Sequence, residues 1–206
     1  MDPRSTSLEL TGVELARGGR PLIAGLSFKL GPAQLALVTG PNGSGKTTLL
    51  RTLAGLARPS GGEIRLGDAE VASLDHEQRA AICYQGHLDG LKKDLSVEEN
   101  ILFFSEIRDY SNSYSSVLQQ LGLETLRDRS VRHLSAGQRR RTALAVLKLS
   151  GATLWLLDEP LTNLDQAGRA LVASWLDEHL TAGGMAVVAT HLADELKRPG
   201  CLLVEL

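Results

Sequence analysis

The chemistry in this sequence starts at Gly40, Pro41, Asn42, Gly43, Ser44, Gly45, Lys46 and Thr47, with Thr48 following. The order G-x-x-x-x-G-K-T lies between an apolar run, "LALVT", and the helix-like "KTTLLRTLAGL". Glycines let successive backbone N–H groups turn toward one anion, and a helix N-terminus adds its positive dipole. In such a loop the lysine reaches the β- and γ-phosphates, and the Thr47 hydroxyl suits a Mg²⁺ ion. A Gly-rich turn that only caps a helix needs neither the lysine nor the threonine, so a nucleoside triphosphate is the expected ligand.

A second constellation is "TLWLLDEPLTNLD". Asp158 and Glu159 close an apolar strand, and in an open parallel sheet ligands collect at that strand end. Asp158 is placed to hold Mg²⁺ opposite Thr47. Glu159, one residue on, can orient and deprotonate an attacking water. Asp165 follows a turn and can cap the helix expected at 166–182; a cap and a role in the site can coexist.

A third is "HLSAGQRRRTALAVLKL", where Ser135, Gly137 and Gln138 open a helix. A hydroxyl and free N–H groups there can meet an anion. They can equally be a plain N-cap, with Arg139, Arg140 and Arg141 forming a solvated face. His191 ends "VVATH", and taken alone a histidine after a strand is a structural residue as readily as a functional one. Gln85 and His87 lie in "CYQGHLDGLKKDLSVEEN", just past another strand candidate.

These residues need elements to carry them. Strand candidates fall at 8–10, 26–30, 35–39, 63–66, 80–84, 154–158, 185–190 and 201–206, and helix candidates at 46–57, 97–108, 114–121, 137–149 and 166–182. The runs at 35–39, 154–157 and 185–189 are apolar throughout, as in strands covered on both faces. Such alternation predicts one α/β domain over 1–206 with a mostly parallel sheet, interrupted by a small helical insertion near 88–133.

The 206 residues suit one sizeable core. A net charge of −2 gives no basic field for nucleic acid or anionic lipid. Cys83 and Cys201 form no CxxC pair and read as reduced thiols. The N-terminus carries no signal-peptide pattern, and no apolar run is long enough to span a membrane.

"GPNGSGKT", "LSAGQ", "LWLLDEP", Asp165 and "ATH" at His191, in that order, resemble the motif set of ABC-type ATPases, and the match runs nearly the whole chain. The resemblance implies a P-loop NTPase fold with a small antiparallel N-terminal β part, and ATP and Mg²⁺ as cofactors. It implies a head-to-tail homodimer in which Ser135, Gly137 and Gln138 contact the γ-phosphate held by a second copy. His191 resembles the switch histidine at the γ-phosphate. An adenine-stacking aromatic is usual upstream in that family; here the position holds Arg17, whose guanidinium plane stacks less specifically. The family's Q-loop glutamine stands eight residues before the Leu of an L-[ST]-x-x-E-N element. Counting back from Leu95 reaches His87, with Gln85 two residues early.

"GHLDGLKKDLSVEEN" and the flanking motifs are similar, more narrowly, to the haem-exporter ATPase subunits of cytochrome c maturation. That likeness implies integral membrane transporter subunits as partners, a periplasmic haem chaperone as indirect partner, and a peripheral place on the cytoplasmic face of the bacterial inner membrane. An ATPase subunit serving a lipid, drug or peptide is the alternative. A soluble ABC ATPase acting on DNA or ribosomes fits less well, since the 87 residues between Lys46 and Leu134 leave no room for a long coiled-coil arm.

Overall fold

The computed structural model describes residues 6–87, 89–108 and 114–206. The chain divides into two compact units. The first comprises Met1–Gly86, Ala152–Pro160 and Leu176–Leu206; the second comprises His87–Gly151 and Leu161–Trp175.

The first unit holds two sheets. One is antiparallel, in the order β2 (Arg20–Leu30), β1 (Leu8–Arg17), β4 (Gly61–Leu66), β5 (Ala69–Glu70). Gly18 and Gly19 both have positive φ (58° and 79°), which lets Arg17 pair with Arg20 across a two-residue turn. β1 and β2 run well beyond the expected 8–10 and 26–30. Register shifts between Leu10 and Val13 and between Val13 and Leu15 break the alternation that marks a strand in sequence.

The other sheet is parallel, in the order β6 (Ile82–Gln85), β7 (Leu154–Asp158), β8 (Met185–Ala189), β3 (Leu35–Thr39), β9 (Leu202–Glu205). Every residue of β7 and β8 is buried, which explains their unbroken apolar character. One core joins Leu154 and Leu156 of β7, Val187 of β8 and Val38 of β3 to Leu49, Leu50 and Leu53 of α1 (Lys46–Leu53) and to Leu8 and Leu10 of β1. α1 ends earlier than the expected 57, because Gly55 takes φ 69° and closes the last turn. A one-turn helix, α2 (His76–Ala80), starts from a capping box between Asp75 and Gln78.

The second unit contains α3 (Val97–Arg108), α4 (Tyr114–Gln120), α5 (Ala136–Lys148) and the first part of α6 (Gln166–Thr181). It takes in more than 88–133, because α5 lies against both α3 and α4. Trp175 Nε1 donates to Gln120 Oε1 at 3.0 Å, tying α6 to α4. From Asp89 to Ser96 it is not helical. Segments 93–98 and 127–132 exchange backbone hydrogen bonds, such as Val97 N to Arg129 O at 3.1 Å. The fully buried Asn100 holds the adjoining loop, accepting from Lys92 N and donating to Lys92 O and Ser96 O. The last short elements are α7 (Ala193–Leu196) and β9, both in the first unit. Among the described residues no helix is long and apolar enough to cross a membrane.

Candidate active site

The first unit gathers its candidate residues at the carboxyl ends of β3, β8 and β7. The loop after β3 curls through Gly40 (φ 144°), Gly43 (φ 83°) and Gly45 (φ 113°), a conformation that L side chains rarely adopt. Lys46 is buried, and its Nζ donates to Gly40 O at 2.6 Å and Pro41 O at 3.0 Å, so the cation lies inside the ring of the loop. Gly45 stands at the N-cap of α1 without a side-chain cap, leaving the first-turn N–H groups of the helix for another acceptor. β2 flanks this loop, since a Cβ on Gly45 would touch Leu22 and Ile23 at 3.4 Å. Arg17 is exposed at the end of β1, opposite Arg20.

Thr47 and Asp158 meet directly: Thr47 Oγ1 donates to Asp158 Oδ2 at 2.7 Å. They lie 111 residues apart in the chain, and each presents an oxygen that can ligate a metal ion. One hydroxyl and one buried carboxylate suit Mg²⁺, which takes few protein oxygens and keeps waters and substrate phosphates. Tyr84 lies on the same face of the sheet. Burial, and then the charge of Asp158, pushes its phenol up, so it stays neutral. The sequence carried no signal for it.

Glu159 leaves the strand at φ 51°, while its N–H still donates to Ala189 O of β8 at 2.8 Å. β8 lies between β7 and β3, so the segment just after β8 can reach both neighbours. His191 does so. Its backbone N–H donates to Glu159 Oε2 at 3.3 Å, its Nε2 lies 3.3 Å from Glu159 Oε1, and the same Nε2 is 3.1 Å from Asn42 Oδ1. The phosphate loop, Thr47, Asp158, Glu159 and His191 thus form one cluster.

Gln85 stands apart from it. Ile82 and Tyr84 of β6 join the core with Leu154 and Leu156, and the pleat turns Gln85 to the other face of the sheet from Asp158. Its amide is buried there and neither polar atom has a hydrogen-bond partner. That parity sets Gln85 apart from the phosphate loop, Thr47 and Asp158.

In the second unit, Ser135 and Gln138 form a reciprocal capping box at the start of α5: Ser135 Oγ accepts from Gln138 N at 3.2 Å and Gln138 Oε1 accepts from Ser135 N at 2.9 Å. A Cβ on Gly137 would come within 3.1 Å of Asn163 O, so the helix start runs close to that loop. The three arginines are not a solvated face. Arg140 is 3% exposed, and Asp89 lies 3.8 Å from both Arg139 and Arg140, bringing the loop after the exposed His87 to the start of α5. Arg141 binds Asp165 Oδ2 at 2.8 Å, while Asp165 Oδ1 accepts from Gly168 N at 2.9 Å and caps α6. The Gly168 amide first, and Arg141 with it, hold the Asp165 carboxyl below the usual range.

Residues 23–162 match the family model described as ABC transporter. The chain is 43% identical over 186 residues to the cytochrome c biogenesis ATP-binding export protein CcmA of Ruegeria pomeroyi, spanning 90% of this chain and 85% of that protein. It is 42% identical over 189 residues to the protein of the same name from Methylococcus capsulatus, spanning 90% and 91%. A solved structure of an ATP-binding subunit of an ABC transporter superposes with a TM-score of 0.82 at 21% identity, over 91% of this chain and 80% of that one, a likeness of fold.

Proposed function

This chain belongs to the ABC transporter family, beside the cytochrome c biogenesis ATP-binding export proteins, and from that premise we propose that it couples ATP hydrolysis to haem delivery for c-type cytochrome assembly. The observation that carries this reading is the cluster at the strand ends, where a phosphate loop, a hydroxyl–carboxylate pair, a glutamate and a histidine meet.

In this reading the N–H groups of Gly43, Ser44, Gly45, Lys46, Thr47 and Thr48 cradle the phosphates. Lys46 exchanges the Gly40 and Pro41 carbonyls for β- and γ-phosphate oxygens. Thr47 and Asp158 hold Mg²⁺, which supplies charge neutralisation to the phosphates when bound. Water attacks the γ-phosphorus as the bond to the β–γ bridging oxygen breaks; Glu159 takes the water proton, and ADP and phosphate leave. His191 donates to a γ-phosphate oxygen. Arg17 flanks the base, and His87, rather than Gln85, answers to the Q-loop position.

Ser135, Gly137 and Gln138 face ATP held by a second copy in a head-to-tail dimer. The capping box does not conflict with this role. A hydroxyl accepts through its lone pairs and keeps one proton to donate, so Ser135 can cap α5 and still bond a phosphate. Asp165, tied to Arg141, stands beside that junction. The dimer works with integral membrane subunits at the cytoplasmic face of the inner membrane, and through them with a periplasmic haem chaperone.

The test is complementation in a host lacking this gene, with covalent haem on c-type cytochromes as readout. The wild-type gene restores it, and Glu159→Gln does not, while the purified variant retains ATP binding and loses about 10²-fold or more of turnover. Normal cytochromes in the deletion host would end the haem reading. Near-normal hydrolysis by the variant would remove Glu159 as base.

A further inference from the structure

His191 is half exposed, its side chain retaining 52% of its accessible surface, so burial alone does not fix its ring. Its backbone bond to Glu159 Oε2 orients the main chain and leaves the imidazole free to turn. The ring is held by Asn42, from the second variable position of the phosphate loop and 149 residues away, through Oδ1 at 3.1 Å from Nε2. Glu159 Oε1 lies 3.3 Å from the same nitrogen.

Two oxygens facing one ring nitrogen decide where its proton sits. A carboxylate only accepts, and an amide oxygen only accepts. With its lone pair on Nε2 the ring would oppose both; with the proton there it donates to Asn42 Oδ1 and faces the charge of Glu159. The nucleotide-free arrangement therefore selects the Nε2–H tautomer. A phosphate oxygen is also an acceptor, so this is the tautomer that a histidine needs in order to donate to it.

We propose that Asn42 is a positioning residue for His191, its amide oxygen holding the place of a γ-phosphate oxygen until ATP arrives. Nucleotide entry then exchanges one acceptor for another at Nε2. The proton does not move and the ring does not flip. ADP has no γ-phosphate to make the exchange, so the Asn42 contact persists when ADP is bound. This inference rests on the assignment of His191 to the γ-phosphate given above.

Two measurements test it. ¹⁵N NMR of the nucleotide-free protein, with resonances assigned through His191→Ala, should report the Nε2–H tautomer at His191, and Asn42→Ala should raise the Nδ1–H form several-fold. In kinetics, whatever change Asn42→Ala makes in kcat/KM for ATP should run through His191. The substitution should change ADP affinity by less than about twofold, and add less than about twofold in a His191→Ala background. An Nδ1–H tautomer in the wild type would overturn the proposal. So would an equal loss in the His191→Ala background, or ADP affinity falling in step with ATP. A wild-type protein without ATP turnover would instead sink the ATPase reading, and the tautomer spectra would still judge the role of Asn42.

Discussion

Gly40→Ala probes how tightly the phosphate loop is built against the rest of its unit. A Cβ at Gly40 would lie 2.4 Å from Leu206 O and 2.9 Å from Ser44 Oγ. Ordinary contact begins near 3.4 Å, so the Leu206 carbonyl or the loop must move by about 1 Å. The Ser44 hydroxyl can rotate away. The main chain of Leu206 is tied to β3 by its own N–H, which donates to Thr39 O at 2.9 Å, and gives way less easily. The φ of 144° adds backbone strain of about 1–3 kcal/mol for an alanine. At about 2–4 °C per kcal/mol for a chain of this size, strain near 2 kcal/mol lowers Tm by roughly 4–8 °C, before any cost of displacement. A shift of about 1 Å beside the reacting phosphates would also cost on the order of 10²-fold in turnover. Gly43→Ala is the control: its φ of 83° brings strain, but no heavy atom lies within 4 Å of the added Cβ. Thermal unfolding without nucleotide separates the two, with Gly40→Ala melting well below Gly43→Ala. If both melt within about a degree of each other, the close approach of Leu206 to the loop is refuted.

Ser135→Arg should leave ATP binding to an isolated monomer unchanged while reducing hydrolysis; equal turnover would argue against a second copy completing the site. Gln85→Leu removes a buried amide without partners from an apolar face, and each such group costs about 1–3 kcal/mol, so Tm should rise by roughly 2–12 °C. A drop in Tm, or a tenfold loss of turnover at unchanged stability, would return Gln85 to the site.

What the sequence revealed and what it hid follow one physical division. β3 at Leu35–Thr39 and β7 at Leu154–Asp158 begin and end where the apolar runs do, because both faces of these strands are buried and every residue reports it. β1 did not announce its length, because its register shifts spoil the alternation that a half-buried strand shows. α2 is a single turn, too short for a helical period, and only the D-x-x-Q of Asp75 and Gln78 marks it. Motif residues were legible because phosphate chemistry prescribes both their type and their spacing. Pairings across the chain were not: Asn42 with His191, Asp89 with Arg139 and Arg140, and the burial of Arg140 depend on which elements become neighbours.

Parity sharpens the point at Gln85 and His87. In β6 each step along the chain reverses the face, and Tyr84 shares its face with Leu154, Leu156 and so with Asp158. Gln85, one step on, falls with Cys83, which is in register with Trp155, whose Nε1 is likewise buried without a partner. A glutamine in a strand cannot turn to the phosphate face without a slip of one residue, and such a slip would also take Ile82 and Tyr84 from the core they share with Leu154 and Leu156. His87 lies beyond the strand, past Gly86, and is released from that alternation. Counting back from Leu95 reaches His87, and the pleat turns Gln85 to the face opposite Asp158.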